Sequence, residues 1–126
     1  MDKFSRPTDF ELSVLQVLWK QGPSTVRQVY ESLGSKGAYT TVLTIMKIMT
    51  DKGLIKPDKS KSTYVYSVTS PPEKMKGLLV SDLVDRAFSG AAQELVMQAL
   101  ASKPASREDL KAIRKLINQL EKKADE

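Results

Sequence analysis

The chain has 126 residues, 40% of them hydrophobic, and a formal net charge of +5 at neutral pH. This length suffices for one small domain and a second, smaller module. Because cysteine and histidine are both absent, the sequence lacks disulfides, thiolate or imidazole metal ligands, and the commonest catalytic bases and nucleophiles. It also has no glycine-rich phosphate loop and no convergent acidic motif, so we expect a protein that is not an enzyme and that uses no cofactor or metal.

The sequence gives no sign of a membrane segment or a secretory signal. Residues 1–5 contain no apolar stretch of the kind found in signal peptides. No apolar run approaches the ~18 residues that a membrane span needs. Together with the absence of cysteine, these features predict a cytoplasmic protein without membrane insertion.

Two helices are predicted in the first part of the chain. Thr8 and Glu11 have the spacing of a capping box, in which each side chain bonds the other residue's free backbone N–H group. Apolar residues at helical spacing follow, and Gly22-Pro23 ends this pattern. Ser24 or Thr25 can then cap a second, short helix. Both helices are amphipathic, so each is expected to bury one face.

A third helix is predicted from near Thr40 or Thr41 to Gly53. One of its faces is apolar and consists of Val42, Ile45, Met46 and Met49. The opposite face is polar and consists of Thr40, Thr44, Lys47 and Asp51. A helix divided in this way buries one face and presents the other to solvent or to a partner.

Two short strands, at residues 54–58 and 63–68, are predicted after the third helix, with the polar turn 59–62 between them. Pro57 lacks the N–H group that a strand ladder needs, so the first strand is an edge strand or carries a bulge. Residues 36–61 contain six lysines and two acidic residues, which concentrates the net charge on the third helix and the hairpin. Charge concentrated in this way is typical of a surface that contacts phosphates.

Three helices followed by a basic hairpin predict an N-terminal winged helix-turn-helix domain over residues 1–70. The predicted fold class of the chain is mainly α with a small β-hairpin. In such a domain the third helix enters the major groove of double-stranded DNA. The candidate DNA-binding residues lie on or beside the third helix and the hairpin: Tyr39, Thr40, Thr41, Leu43, Thr44, Lys47, Lys59 and Lys61. Three alternatives stay open, since Thr41 could cap the helix, Leu43 could pack on a neighbouring helix, and the lysines could be merely solvated.

Residues 71–126 are predicted to form a three-helix dimerisation module. Pro71-Pro72 separates it from the first domain, and Ser106 is suited to cap its last helix. Apolar residues of that helix alternate three and four positions apart, as in a coiled coil, and three short helices have too little bulk for a core of their own. The candidate dimerisation residues are Leu79, Leu83, Phe88, Leu110, Ile113, Ile117 and Leu120. In the alternative, these helices fold back on the first domain within a monomer.

Four segments of the chain resemble a known family: residues 15–19 (LQVLW), 25–29 (TVRQV), 39–46 (YTTVLTIM) and 51–55 (DKGLI). They resemble the penicillinase repressor family, the BlaI/MecI/CopY type of winged-helix transcriptional repressor. The most specific mark is the Tyr-Thr-Thr-Val-x-Thr stretch followed by Lys-Gly. The helical tail also matches in length and pattern, so the resemblance covers nearly the whole chain.

The resemblance implies a homodimeric repressor that binds a palindromic operator and blocks transcription. In well-known members the operon serves β-lactam resistance, and a membrane sensor-protease ends repression by cutting the dimerisation region. The matching bond here is Gln98-Ala99, although these residues differ from those at the family's cut. The family commonly has arginine near the position of Ile48, so the operator can differ. The copper-responsive relatives end in a cysteine-rich motif, which is absent here, so copper sensing by that route is not expected.

Two other functions are compatible with the same architecture. A winged helix can serve as a protein-interaction module, but Lys47, Lys59 and Lys61 on the predicted DNA side argue against this. A small-molecule-sensing regulator would need an apolar pocket and would release DNA when the ligand binds. No residue of the sequence identifies such a ligand.

Overall fold

The computed structural model describes residues 5–126, and within that range it contains six α-helices and one two-stranded antiparallel sheet. The helices are α1 (Asp9–Gln21), α2 (Val26–Ser32), α3 (Tyr39–Asp51), α4 (Pro72–Ala87), α5 (Ala92–Ser102) and α6 (Arg107–Ala124), and the strands are β1 (Ile55–Asp58) and β2 (Val65–Val68). The predicted fold class, mainly α with a small β-hairpin, is confirmed. The prediction about a secretory signal concerns residues 1–5, of which 1–4 lie outside the described residues.

The chain divides into two compact units, Met1–Val80 and Ser81–Glu126. The first unit contains α1, α2, α3, the hairpin and the first part of α4. The second contains the rest of α4 together with α5 and α6. The division falls within α4, whereas the functional boundary predicted from the sequence follows residue 70, and that functional boundary stays a prediction.

Capping boxes fix the starts of the first two helices. At α1, the Glu11 N–H donates to Thr8 Oγ1 over 3.1 Å, and the Thr8 N–H donates to Glu11 Oε1 over 2.9 Å. At α2, Thr25 and Gln28 form the same pair of bonds, so Thr25 is the cap. These bonds satisfy N–H groups that the first turn of a helix leaves without partners.

Ser24 pairs with the sheet instead of capping α2. Its N–H donates to the Tyr66 carbonyl over 3.0 Å, and the Tyr66 N–H donates to the Ser24 carbonyl over 2.8 Å. Strand β2 therefore pairs with Ser24 on one side and with β1 on the other, where Ile55 faces Val68. Strand β1 lies at the edge, where Pro57 needs no hydrogen-bond partner, as predicted.

The core of the first unit holds α3 by one face. Val42, Met46 and Met49 of α3 are buried, as its predicted apolar face requires. The other buried apolar side chains of this core are Val14, Leu15, Leu18, Val26, Val29, Ile55, Tyr66 and Met75. Because only one face of α3 is anchored, its opposite face stays open to solvent.

The second unit has little interior of its own. Val84 is its one buried apolar side chain within the described residues, and no residue of α5 or α6 is buried. Helix α4 ends at Ala87, and in the turn that follows the N–H of Gly90, at a φ of +82°, donates to the Val84 carbonyl over 3.0 Å. Ser106 caps α6 as predicted, in a capping box with Asp109. None of the helices in the described part of the chain has the length and apolar character of a membrane span.

Candidate nucleic-acid interface

Helix α3 presents its predicted polar face to solvent. Thr40, Thr44 and Lys47 are all exposed on it. Leu43 is 43% exposed, so of its two alternatives the structure favours an exposed side chain over packing on a neighbouring helix. A basic side chain among hydroxyls and one apolar group can contact phosphates, base edges and thymine methyl groups.

The start of α3 differs slightly from the prediction. Tyr39 is the first residue of the helix, and Ala38 is its N-cap, with no side-chain hydrogen bond. Thr41 therefore does not cap the helix. Its N–H donates to the Ala38 carbonyl over 3.0 Å, and its exposed side chain forms no hydrogen bond with the described residues. The hydroxyl of Thr41 is thus available to a partner outside the chain.

The tip of the hairpin carries Lys59 and Lys61, both exposed. Asp58 fixes the turn, because its Oδ1 accepts from the hydroxyl of Ser60 over 2.6 Å and from the Ser60 N–H over 2.9 Å. These bonds hold the pKa of Asp58 below its ordinary value. The ammonium of Lys59 lies 5.8 Å from the centre of the Tyr64 ring, which is itself exposed. The turn therefore presents two exposed cations, one of which, Lys59, lies beside an aromatic ring.

Lys52 differs from the other lysines of the segment because it is paired within the chain. Its Nζ lies 3.0 Å from each carboxylate oxygen of Glu11, which is 2% exposed. Burial raises the pKa of Glu11, but the Thr8 N–H and the Lys52 ammonium outweigh it, and the pKa falls below its ordinary value of 4.5. The pair ties the start of α1 to the end of α3. The charge count of residues 36–61 therefore overstates the number of cations that are free to contact DNA.

A second pair of contacts, which the sequence analysis missed, lies beside the start of α3. The guanidinium carbon of Arg27 lies 4.4 Å from the centre of the Tyr39 ring and 5.9 Å from that of Tyr30. The two rings meet edge to face, with centroids 5.5 Å apart. The Tyr30 hydroxyl is 3.0 Å from the Ser35 carbonyl and 3.2 Å from that of Gly37, so it also holds the turn before α3. The spacing of Arg27 and Tyr30 on one helix face was the available signal.

The candidate dimerisation residues fall into two groups. Leu79 belongs to the first unit, where it is half-buried against the core. The others belong to the second unit: Leu83, Phe88, Leu110, Ile113, Ile117 and Leu120. Four of these six are exposed, and Leu120 is 56% exposed. The bond Gln98-Ala99 lies inside α5, with both residues exposed.

The chemistry of the first unit suits recognition of an anion. The cations and hydroxyls of α3 and the hairpin can neutralise phosphates and donate hydrogen bonds. Within residues 5–126 no group of three or more acidic side chains is placed to hold a metal ion.

A family model described as the penicillinase repressor matches residues 7–119. This match spans both units. The chain belongs to the penicillinase repressor family. As a member of the penicillinase repressor family, it is a winged-helix, DNA-binding transcriptional repressor, and the resemblance of its sequence is confirmed.

Individual members of the penicillinase repressor family give the same result. The transcriptional regulator BlaI of Mycobacterium tuberculosis is 32% identical over 125 residues, which cover 96% of this chain and 89% of that protein. The penicillinase repressor of Bacillus licheniformis is 20% identical over 121 residues, which cover 94% of each chain. The similarity therefore extends through α3, the hairpin and the C-terminal helices.

Solved structures support the fold. A MarR family protein from Bacillus stearothermophilus superposes with a TM-score of 0.54 at 14% identity, covering 97% of this chain and 78% of that one. The transcriptional regulator Tm0710 from Thermotoga maritima gives a TM-score of 0.51 at 18% identity, covering 92% and 77%. At such low identity these neighbours establish the winged-helix fold alone.

Proposed function

We propose that this member of the penicillinase repressor family is a sequence-specific homodimer that binds a palindromic operator and blocks transcription in the cytoplasm. It acts by occupying DNA, without catalysis, cofactor or metal. The observation that carries the proposal is the division of α3, whose apolar face is buried while Lys47 and three threonines are exposed. A helix of this kind can enter the major groove without disturbing the core behind it.

Each candidate residue has a role in this proposal. Lys47 donates to guanine O6 and N7 or to a phosphate. The threonines and Tyr39 donate hydroxyls to phosphates or base edges, and Leu43 contacts thymine methyl groups. Lys59 and Lys61 bind phosphates or enter the minor groove. Phosphate contacts set the position on DNA, whereas contacts with bases select the sequence.

The exposed apolar surface of the second unit supports the proposed dimer. Met97 is 70% exposed, and Leu116, Ile117 and Leu120 of α6 are exposed as well. Monomeric proteins rarely leave so many neighbouring apolar side chains in water. A second copy of the chain, with the same surface, is the partner we propose. In such a dimer the two copies of α3 are the reading helices, that is, the helices that contact bases. They require two half-sites, arranged as a palindrome.

The regulated operon and the release mechanism form the finer part of the proposal. The family description, penicillinase repressor, directs it to an operon of β-lactam resistance or a related stress response. Release would follow from cleavage at Gln98-Ala99 by a membrane sensor-protease. Since this bond lies within α5, the helix would have to unwind locally before cleavage.

A cavity in the first unit favours a second candidate function, regulation by a small ligand. It has a volume of about 530 Å³ and is lined in part by Trp19 of α1, Leu54, and Lys74 and Met75 of α4. A ligand there would contact the residues that follow α3, so binding could alter the position of the reading helix. This candidate predicts that a small molecule, rather than proteolysis, releases DNA.

The deciding experiment is selection of bound fragments from the source genome by the purified protein. We expect enrichment of a palindromic site, with affinity that falls steeply as salt increases. The genes beside the site then name the pathway. If no sequence is enriched and binding is weak at physiological salt, the repressor proposal fails in favour of a protein-interaction module.

The substitution Lys47→Ala tests the reading helix. If Lys47 contacts a base, the change costs roughly 1–3 kcal/mol at the operator and relaxes specificity at one position. Affinity measured across a set of single-base operator variants checks this. Lys20→Ala, at an exposed lysine of α1, serves as the control. A uniform loss across all variants would make Lys47 a phosphate contact, and no loss would remove it from the interface.

A further inference from the structure

Arg27 is an exposed cation that the described part of the chain leaves without an acidic partner. It lies in the first turn of α2, and its contacts are with aromatic rings, 4.4 Å from Tyr39 and 5.9 Å from Tyr30. None of the described residues forms an ion pair or hydrogen bond with its guanidinium. Because no carboxylate of the described residues pairs with this arginine, its charge is available to a partner outside the chain.

The aromatic contacts restrict where this charge can lie. A guanidinium above an aromatic ring is held by the ring's negative face, while the N–H donors around its edge can stay free. The Tyr39 ring in turn meets the Tyr30 ring at 80°, and the Tyr30 hydroxyl is within hydrogen-bonding distance of the turn carbonyls of Ser35 and Gly37. These contacts therefore favour a position of the cation beside the first residue of α3.

We propose that Arg27, stacked on Tyr39 at the start of α3, binds a phosphate of the operator backbone. The inference rests on the proposed DNA-binding function and adds a residue to the interface. The forked donors of arginine match phosphate oxygens in geometry as well as charge. Since the contact is to the backbone, it sets the position of α3 in the groove and reads no base.

The test measures operator affinity against salt concentration for the full-length protein and three variants. Arg27→Gln removes the charge, Arg27→Lys keeps it without the planar group, and Lys20→Gln removes one charge from an exposed position on α1. For Arg27→Gln we expect a roughly tenfold loss of affinity, equal for operator and random DNA, and a salt slope smaller by about one. Arg27→Lys should keep the slope and lose part of the affinity, and Lys20→Gln should resemble the wild type.

Failure of the Arg27 contact and failure of the proposed DNA-binding function give different results. If Arg27→Gln keeps the wild-type salt slope, Arg27 binds no phosphate and the proposal fails. If Arg27→Gln and Arg27→Lys lower the thermal midpoint together and reduce affinity at an unchanged slope, the residue supports only the fold, which also overturns the proposal. If the wild-type protein itself shows no salt-dependent DNA binding, the proposed function fails first.

Discussion

The two units of the molecule bury their apolar side chains to very different degrees. In the first unit, α1, α2, α3 and the hairpin enclose a shared core, and Met46, Met49 and Val29 have no exposed surface. In the second unit, Val84 alone among the described apolar side chains is buried, and α6 exposes a long apolar stripe. The first unit has the interior of a folded domain, whereas the second exposes the apolar surface that we propose as a dimer interface.

The two units also differ in the kind of surface that their helices present to solvent. Helices α3 and α6 are both amphipathic, but the apolar face of α3 is covered within the chain and that of α6 is exposed. What reaches solvent on α3 is a polar surface with Lys47 and three threonines, suited to DNA. What reaches solvent on α6 is an apolar surface suited to a second copy of the chain. Substitutions that affect only one unit can therefore test the comparison.

The largest effect is expected from Met46→Ala in the core of the first unit. Removing this fully buried side chain leaves a cavity, and such truncations cost about 2–5 kcal/mol of unfolding free energy. Urea denaturation at a fixed, low protein concentration measures the loss. Met97→Ala, the same change at a 70% exposed position of α5, should cost less than ~1 kcal/mol there. Equal losses would contradict the claim that the two units are packed differently.

A smaller effect, visible in assembly rather than in folding, is expected from Ile117→Asp on α6. A carboxylate placed in an apolar dimer interface should raise the dimer dissociation constant about a hundredfold, or ~3 kcal/mol. Sedimentation equilibrium over a range of concentrations measures this constant. Asn118→Asp adds the same charge at the next position, beside Lys111 and Lys115, and should leave the dimer intact. An unchanged dissociation constant for Ile117→Asp would mean that the stripe of α6 is not the dimer interface.

The sequence predicts what depends on neighbouring residues. Thr8 and Ser106 are recognisable as caps because their partners lie three positions away, and the buried face of α3 follows from its period. The exposed face, with Lys47 and the threonines, follows as its complement. The hairpin follows from β-branched residues around a polar turn.

Contacts between distant segments were not predictable in this way. Lys52 and Glu11 are 41 positions apart, and nothing local distinguishes Lys52 from the lysines that face solvent. The same holds for Arg27 above Tyr39, which requires α2 and α3 to be packed before the two meet. Charge counts along a sequence therefore identify a basic segment but not which of its cations are free.

The smallest effect concerns the ion pair between Lys52 and the buried Glu11, and its dependence on pH. Replacing Glu11 by glutamine removes the charge that Lys52 meets, while the amide oxygen can still accept from the Thr8 N–H. Breaking a buried pair usually costs more, but the Lys52 side chain is 36% exposed and solvent screens part of the interaction. We expect Glu11→Gln to lower the unfolding free energy of the first unit by about 1–2 kcal/mol at neutral pH.

The sign of the pH effect follows from the lowered pKa of Glu11. Because this pKa lies below 4.5 in the folded chain, the folded state favours the charged carboxylate more than the unfolded state does. The resulting stability is complete above pH 4.5 and is lost as the pH falls through the folded pKa. Urea denaturation from pH 7 to pH 3 should therefore show the wild type and Glu11→Gln converging at the acid end. A difference that stays constant or widens toward acid would mean that packing, rather than the charge of Glu11, joins α1 to the end of α3.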